Sequence, residues 1–147
     1  MSYPHRSTYP PGVYHVVDRA TGGGPLYRDV LDCRSFLRFF ETVLERQEWT
    51  CYAYCLMTTH CHMVLGTQTE LSRGMQWLKS MYARRFNERH GRSGALFEKR
   101  FWSGPIEDDD VLEAVSLYVV NNPVRAGLCT AAHEWRWSGG LSSGLDR

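Results

Sequence analysis

The spacing of apolar residues predicts four strands along the chain. Residues 12–18 and 49–57 are rich in β-branched and aromatic side chains, which is typical of strands. Residues 60–65 form a third such run after only Thr58-Thr59, so the second and third runs are expected to pair as an antiparallel hairpin. A fourth strand is predicted over residues 96–102.

Three other stretches have the apolar spacing of helices. The first begins at a cap formed by Asp29 or Asp32. The second covers residues 70–90, where apolar positions recur every three or four residues. The third begins in the acidic residues 107–110, which suit a helix N-terminus, and it is stopped by Pro123.

The order of these elements is strand, helix, strand, strand, helix, strand, helix. This order predicts an α+β protein with a ferredoxin-like antiparallel sheet, helices packed on one face, and an additional C-terminal helix. We expect a single domain over residues 1–147. Residues 1–11, which are polar and contain three prolines, and the Gly/Ser-rich residues 138–147 are expected to be flexible tails.

Composition narrows the class of protein. Hydrophobic residues make up 43% and charged residues 22% of the 147, which is typical of a globular chain and excludes a disordered one. No apolar run approaches the roughly 18 residues that a membrane span needs. The five cysteines are odd in number and contain no CxxC pair, which disfavours a disulfide framework. These features indicate a reducing compartment, and we expect a cytoplasmic protein.

Charge is unevenly distributed along the chain. The net charge is only +1, but residues 73–100 carry +6 and the rest of the chain carries −5. A single basic stretch fits an anionic partner that meets one face of the protein, and it also fits a solvated helix face.

His60 and His62 are the first candidates for chemistry. Residues i and i+2 of a strand share a face, so the two imidazoles lie about 6.6 Å apart along the backbone and could bind one metal ion. Cys61 points to the opposite face. Two histidines on the solvated face of a strand are the alternative explanation.

Tyr118 and Asn122 are the second candidates, since a spacing of four places them on one helix face about 6 Å apart. An amide oxygen suits Mg²⁺ or Mn²⁺, and a phenol can attack phosphorus. A core role for Tyr118 is the alternative. Tyr82, a rival nucleophile, lies on an apolar helical stripe and is expected in the core, and His15 is most simply a strand histidine.

Two segments together resemble a known family. Residues 54–65, YCLMTTHCHMVL, are similar to the HUH strand of the IS200-like, single-tyrosine transposases, and residues 118–127, YVVNNPVRAG, are similar to their tyrosine helix. The basic segments 84–91 and 94–101 and the opening YHVVDR at 14–19 also resemble this family. The REP-associated tyrosine transposases are the most similar branch.

The resemblance implies a metal-dependent endonuclease and strand transferase acting on single-stranded DNA with hairpin or palindromic elements. It implies that His60, His62 and Asn122 bind Mg²⁺ or Mn²⁺ and that Tyr118 forms a 5′-phosphotyrosine intermediate. It is also consistent with a monomer or a homodimer and with no membrane partner. The basic stretch and its aromatics would contact DNA, and the candidates are Arg84, Arg85, Arg89, Arg92, Lys99, Arg100 and Trp102.

Two other functions fit the residues. The same fold could bind DNA or RNA without chemistry, since small α+β domains host many functions. A zinc protein could use His60 and His62 with Cys55, the nearest cysteine across the predicted hairpin.

Overall fold

The computed structural model describes residues 9–142. This part of the chain contains five strands and four α-helices. The strands all pair antiparallel. The strands are β1 (Gly12–Arg19), β2 (Thr50–Leu56), β3 (His60–Thr67), β4 (Trp102–Ile106) and β5 (Ser138–Ser142). The helices are α1 (Val30–Arg46), α2 (Leu71–His90), α3 (Asp109–Val120) and α4 (Asn122–Arg125).

The sheet has the order β4-β1-β3-β2-β5. Its first four strands have the ferredoxin-like order, which confirms the predicted fold class, and β5 extends the sheet beyond β2. Helices α1 and α2 pack together on one face, and α3 contacts β2 and β3 on the other. Within residues 9–142, no helix combines the length and the apolar character needed to cross a bilayer.

The alternation of side chains along β3 separates the two faces. Cys61, Met63 and Leu65 belong to the large core under α1 and α2, whereas Val64 belongs to a smaller cluster under α3. In the large core, the rings of Phe36 and Tyr82 meet edge to face with centroids 5.3 Å apart. Strand alternation therefore assigns every second residue of β3 to a different environment.

Ionic contacts connect the end of α2 to the start of α1. The Asp29 side chain caps α1 by accepting from the Asp32 amide at 2.9 Å. Arg89 donates to Asp29 at 2.9 Å and also to the buried Asp32, and the His90 Nε2 atom lies 2.8 Å from Asp32. The hydrogen bond from Arg89 holds the pKa of Asp29 down at about 2. These contacts place negative charge at a helix N-terminus and positive charge at a C-terminus, which stabilises both helix dipoles.

The predicted fourth strand is displaced along the chain. Residues 96–101 are irregular apart from a bridge between Ala20 and Phe97, and β4 begins only at Trp102. Leu96, Phe97 and Phe101 are nevertheless buried in the large core. Their apolar character indicated burial correctly, but it did not identify a strand.

Both predicted tails are partly ordered. Residues 138–142 form β5, so the expectation of a flexible tail from residue 138 is wrong for this part. Tyr9 is buried and stacks on Phe101 with centroids 5.8 Å apart, so the predicted tail of residues 1–11 is anchored near its end. The remainder of these predicted tails, residues 1–8 and 143–147, lies outside the described residues.

Candidate active site

His60 and His62 lie on the α3 face of β3, as the strand alternation predicts. Their ring centroids are 5.1 Å apart. His60 lies next to the β2–β3 turn, where its Nδ1 atom is 3.2 Å from the hydroxyl of Thr59. His62 is buried, with only 6% of its surface exposed. The central strand therefore presents two adjacent imidazoles at one end of the sheet.

His15 on β1 is a third histidine at this place. Its Nε2 atom lies 3.0 Å from the Nδ1 atom of His62, and the two rings stack with centroids 5.3 Å apart. His15 pairs with Val64, which makes it a diagonal neighbour of His62 across the two strands. The expectation that His15 is only a strand histidine therefore misses a direct partner of a candidate ligand.

Burial keeps the three imidazoles neutral. Desolvation lowers the pKa of His15 to about 4. Desolvation, with smaller contributions from the neighbouring His15 and His60, lowers the pKa of His62 to about 3. The pKa of His60 is also lowered, mainly by burial and then by Arg19. At neutral pH each ring thus has one nitrogen lone pair.

Tyr118 projects from α3 beside these rings. Its ring centroid lies 6.3 Å from that of His62 and 6.4 Å from that of His15, and half of its surface is exposed. A cleft of about 360 Å³ opens between them. Trp102 and Arg19 complete its rim, and the Trp102 ring meets His15 edge on at 5.3 Å. A phenol and two imidazoles therefore share one solvent-accessible cleft.

Arg125 fixes the position of Tyr118. Its guanidinium carbon lies 3.7 Å from the centre of the Tyr118 ring, and its Nη2 atom donates to the Tyr118 carbonyl at 2.8 Å. Arg125 was not assigned a role from sequence. Arg125 lies on α4, beyond the break after α3, so helical spacing from Tyr118 could not have identified it.

Asn122 does not share a continuous helix with Tyr118. Helix α3 ends at Val120, and Asn122 is the first residue of the separate α4. The sequence predicts that the helix runs to about residue 121 or 122 and stops at Pro123, and α3 ends one or two residues earlier. Pro123 cannot donate an amide, so a new helical turn begins with proline in its first positions. Asn122 is half-buried and is not among the residues that line the cleft.

The predicted DNA-binding residues fall into different environments. Arg84, Arg85 and Lys99 are exposed, Arg100 is half-buried, and Trp102 lines the cleft. Arg89 joins α2 to α1, as described above. Arg92 donates to Asn87 at 3.0 Å and to the Ala95 carbonyl at 2.8 Å, which orders the turn after α2. Arg89 and Arg92 therefore have structural partners within the chain.

The structure gives little support to Tyr82 as the nucleophile or to a zinc site that includes Cys55. Tyr82 is completely buried and donates its hydroxyl to the Leu26 carbonyl, so it is a core residue. Cys55 lies opposite His62 on β2, but it is buried and desolvation raises the pKa of its thiol to about 12. Zinc binds the thiolate form, which this environment disfavours. Among the described residues, no group of three His, Cys, Asp or Glu side chains has a geometry suited to a metal ion.

Comparisons with known proteins agree with this architecture. The model of a family described as IS200-like transposases matches residues 14–122. A solved structure of a REP-associated tyrosine transposase bound to a REP hairpin superposes with a TM-score of 0.77 at 16% identity, covering 94% of this chain and 82% of that one. A candidate transposase from Deinococcus radiodurans superposes with a TM-score of 0.52 at 18% identity, covering 82% of this chain and 97% of that one. No curated protein matches the sequence significantly.

Proposed function

Because the chain belongs to the IS200-like transposase family, we propose that it cleaves and rejoins single-stranded DNA with Tyr118 as the nucleophile. The proposal includes a divalent metal ion, Mg²⁺ or Mn²⁺, bound by His60 and His62. The observation that carries it is the approach of the exposed Tyr118 ring to within 6.3 Å of His62 in one cleft.

His60 and His62 suit a metal ion because the Nδ1 atom of each ring has a partner within the protein. The Nδ1 atom of His62 is occupied by His15, and that of His60 by the Thr59 hydroxyl. The Nε2 atom of each neutral ring is then available to bind the metal. Metal-binding histidines usually have this arrangement, in which the other ring nitrogen forms a hydrogen bond to a neighbouring group. Asn122 would supply an amide oxygen as a further ligand, and this role rests on the family resemblance alone.

When bound, such an ion would polarise the scissile phosphate and offset the charge that develops on its oxygens. The Tyr118 oxygen attacks phosphorus and forms a phosphotyrosine bond to the 5′ side, while the bond to the 3′ oxygen breaks. The phenolic proton passes to solvent and the departing 3′ oxygen takes up a proton. The phosphotyrosine keeps the bond energy, so a second 3′-hydroxyl can reverse the step without ATP.

Arg125 supports this chemistry in two ways. Its guanidinium lies against the Tyr118 ring and bonds to the Tyr118 carbonyl, which limits the directions that the phenol can take. It also places a positive charge over the ring of the proposed nucleophile, which favours an anionic substrate there.

The proposed DNA substrate carries a hairpin beside the cleaved strand. The similarity in fold to a transposase bound to a REP hairpin supports this substrate class. We assign phosphate contacts to Arg84, Arg85, Lys99 and Arg100, and base stacking to Trp102 at the rim of the cleft. Arg89 and Arg92 are left out because their guanidinium groups join α2 to α1 and order the turn after α2.

The decisive experiment incubates the protein and Mn²⁺ with labelled oligonucleotides in which a hairpin is flanked by single strands. The expected product is a covalent protein–DNA adduct that is absent from Tyr118→Phe. Tyr52→Phe is the matched control, because Tyr52 is a half-buried tyrosine on β2, and it should form the adduct normally.

An adduct in Tyr118→Phe would refute the assignment of the nucleophile. Hairpin binding without cleavage, in Mg²⁺ and in Mn²⁺ across many hairpins, would favour a binding module without catalysis.

A further inference from the structure

A second basic surface lies away from the cleft, between α1 and the segment that leads into β5. Arg34 and Arg38 project from α1 and Arg136 from the segment before β5, and all three are exposed. Together they line a groove of about 400 Å³. Neither the basic stretch of residues 73–100 nor the proposed phosphate contacts include this surface.

The groove combines positive walls with an apolar floor. Leu37 and Trp137 form the floor, and the Arg136 guanidinium carbon lies 4.6 Å from the centre of the Trp137 ring. Glu41 is the one acidic residue of the lining, so the groove carries a net positive charge. Within residues 9–142, none of the three arginines lies within ion-pair distance of a carboxylate.

The arginines are spaced to meet successive anionic groups. Arg34 and Arg38 are one helical turn apart, which separates their attachment points by about 6 Å along α1. Guanidinium groups bind phosphate oxygens in bidentate fashion. An apolar floor between such groups suits a base, which a single strand exposes and a duplex keeps inside its stack.

The groove also leads toward the histidine end of the sheet. A smaller hollow of about 270 Å³ shares Trp137 with it and is lined by Met57 and Thr58 of the β2–β3 turn. Met57 donates its amide to the His60 carbonyl at 2.8 Å. A strand that passes from His60 around this turn would therefore enter the hollow that adjoins the groove.

From these contacts we infer that the groove lined by Arg34, Arg38 and Arg136 binds a single-stranded DNA segment next to the cleaved position. Its phosphates lie against the arginines and its bases lie over Leu37 and Trp137. This inference rests on the proposed function, because it assigns a second contact surface to the same substrate.

The test measures equilibrium binding without metal, so that cleavage plays no part. The probes are a labelled oligothymidylate of about 15 nucleotides and a blunt hairpin without flanking strands. Arg38→Glu should weaken oligothymidylate binding about tenfold at low salt. It should also make the fall of log affinity with log salt concentration less steep by about 0.7, which is the value for one phosphate contact to a single strand. Glu41→Gln should strengthen binding.

Arg46→Glu is the matched control, because Arg46 is exposed at the end of α1, outside both the groove and the basic stretch, and the change in net charge is the same. It should leave oligothymidylate binding nearly unchanged, and Arg38→Glu should leave hairpin binding nearly unchanged. Unaltered oligothymidylate binding in Arg38→Glu, or an equal loss in Arg46→Glu, would overturn the inference. An equal loss on the blunt hairpin would overturn the assignment to a single strand.

Adduct formation by the wild-type protein is measured separately. If no adduct forms but Arg38→Glu still weakens single-strand binding, the proposed function fails and the groove stands. If the adduct forms and the binding is unaltered, only the groove assignment fails.

Discussion

The two faces of the sheet differ in what they bury. The face under α1 and α2 holds a large apolar core rich in aromatic rings, to which β3 contributes Cys61, Met63 and Leu65. The face under α3 holds a much smaller apolar cluster, and beside it the same strand presents His62 to a cleft, with the His60 ring next to it. One face therefore supplies most of the hydrophobic stabilisation, and the other leaves polar side chains accessible to a substrate.

The helices on the two faces differ in the same way. Helix α2 buries six of its residues, including Tyr82 and Phe86. Helix α3 buries only Ser116 and Val119, and half of the Tyr118 surface stays exposed. Substitutions on the α3 face should thus change chemistry with little change in stability, and substitutions on the other face should do the opposite.

The largest expected effect is that of Tyr118→Phe. The variant lacks the hydroxyl that would attack phosphorus, so the covalent adduct should disappear entirely. Because the side chain is half-exposed and the ring is kept, the free energy of unfolding should change by less than about 0.5 kcal/mol. Adduct assays test the loss of activity, and denaturant titration tests the free energy of unfolding. A large loss of stability would contradict the inference that substitutions on the α3 face change chemistry more than stability.

Phe36→Ala should have the opposite profile. Phe36 is almost completely buried and meets the rings of Tyr27, Phe40 and Tyr82. Its loss should lower the free energy of unfolding by about 3–5 kcal/mol. At temperatures where the variant stays folded, Mn²⁺ affinity measured by calorimetry should match the wild type. A marked loss of that affinity would show that the two faces are coupled.

His15→Ala should weaken Mn²⁺ binding about 10–100-fold, because it removes the partner that orients the His62 ring. His15→Gln keeps an oxygen that can accept a hydrogen bond, and it should restore part of the affinity. Calorimetry with Mn²⁺ measures both variants without reference to cleavage. Equal affinity in His15→Ala and the wild type would show that His15 does not position His62.

The smallest expected effect is a pH dependence of stability in the metal-free protein. The pKa values of His15 and His62, about 4 and about 3, lie below the value of about 6.5 in an unfolded chain. The unfolded state therefore binds more protons, and the stability present above pH 6.5 is lost as the pH falls. From pH 7 to pH 6 the loss should be on the order of 1 kcal/mol.

The control is a double variant, His15→Asn with His62→Asn. It is needed because the titration of Asp18 changes the stability in the opposite direction and remains in both proteins. Burial raises the pKa of Asp18 to about 6, so its protonation favours the folded state as the pH falls. Denaturant titrations in the presence of a chelator should show a smaller acid-induced loss of stability in the double variant. An identical pH dependence in both proteins would contradict the assignment to the two histidines.

Local patterns predicted most of the fold. The alternation along β3, the capping of α1 by Asp29 and the capping of α3 by Asp108 depend on neighbours in sequence, and all three are present. β4 was misplaced because Gly104 and Pro105 suggest a loop. An edge strand tolerates them, since β4 pairs only with β1.

β5 and His15 depend on contacts between distant parts of the chain. β5 pairs with β2 through its backbone, and a Cβ atom at Gly140 would lie 2.7 Å from the Cα atom of Ala53. Glycine is required at this position, although the Gly/Ser-rich composition of the segment suggests a flexible tail. The position of His15 beside His62 follows from the register of β1 on β3, which sequence spacing does not determine.

Pro105 also limits how copies of this chain could associate. It lies on β4, the outermost strand at that end of the sheet, and it has no amide hydrogen to offer a neighbouring backbone. A sixth strand from another molecule would find this edge incomplete, which is how natural sheets resist aggregation. Self-association through a continuous intermolecular sheet is thereby disfavoured at β4, and a dimer at this edge would have to be built from side chains instead.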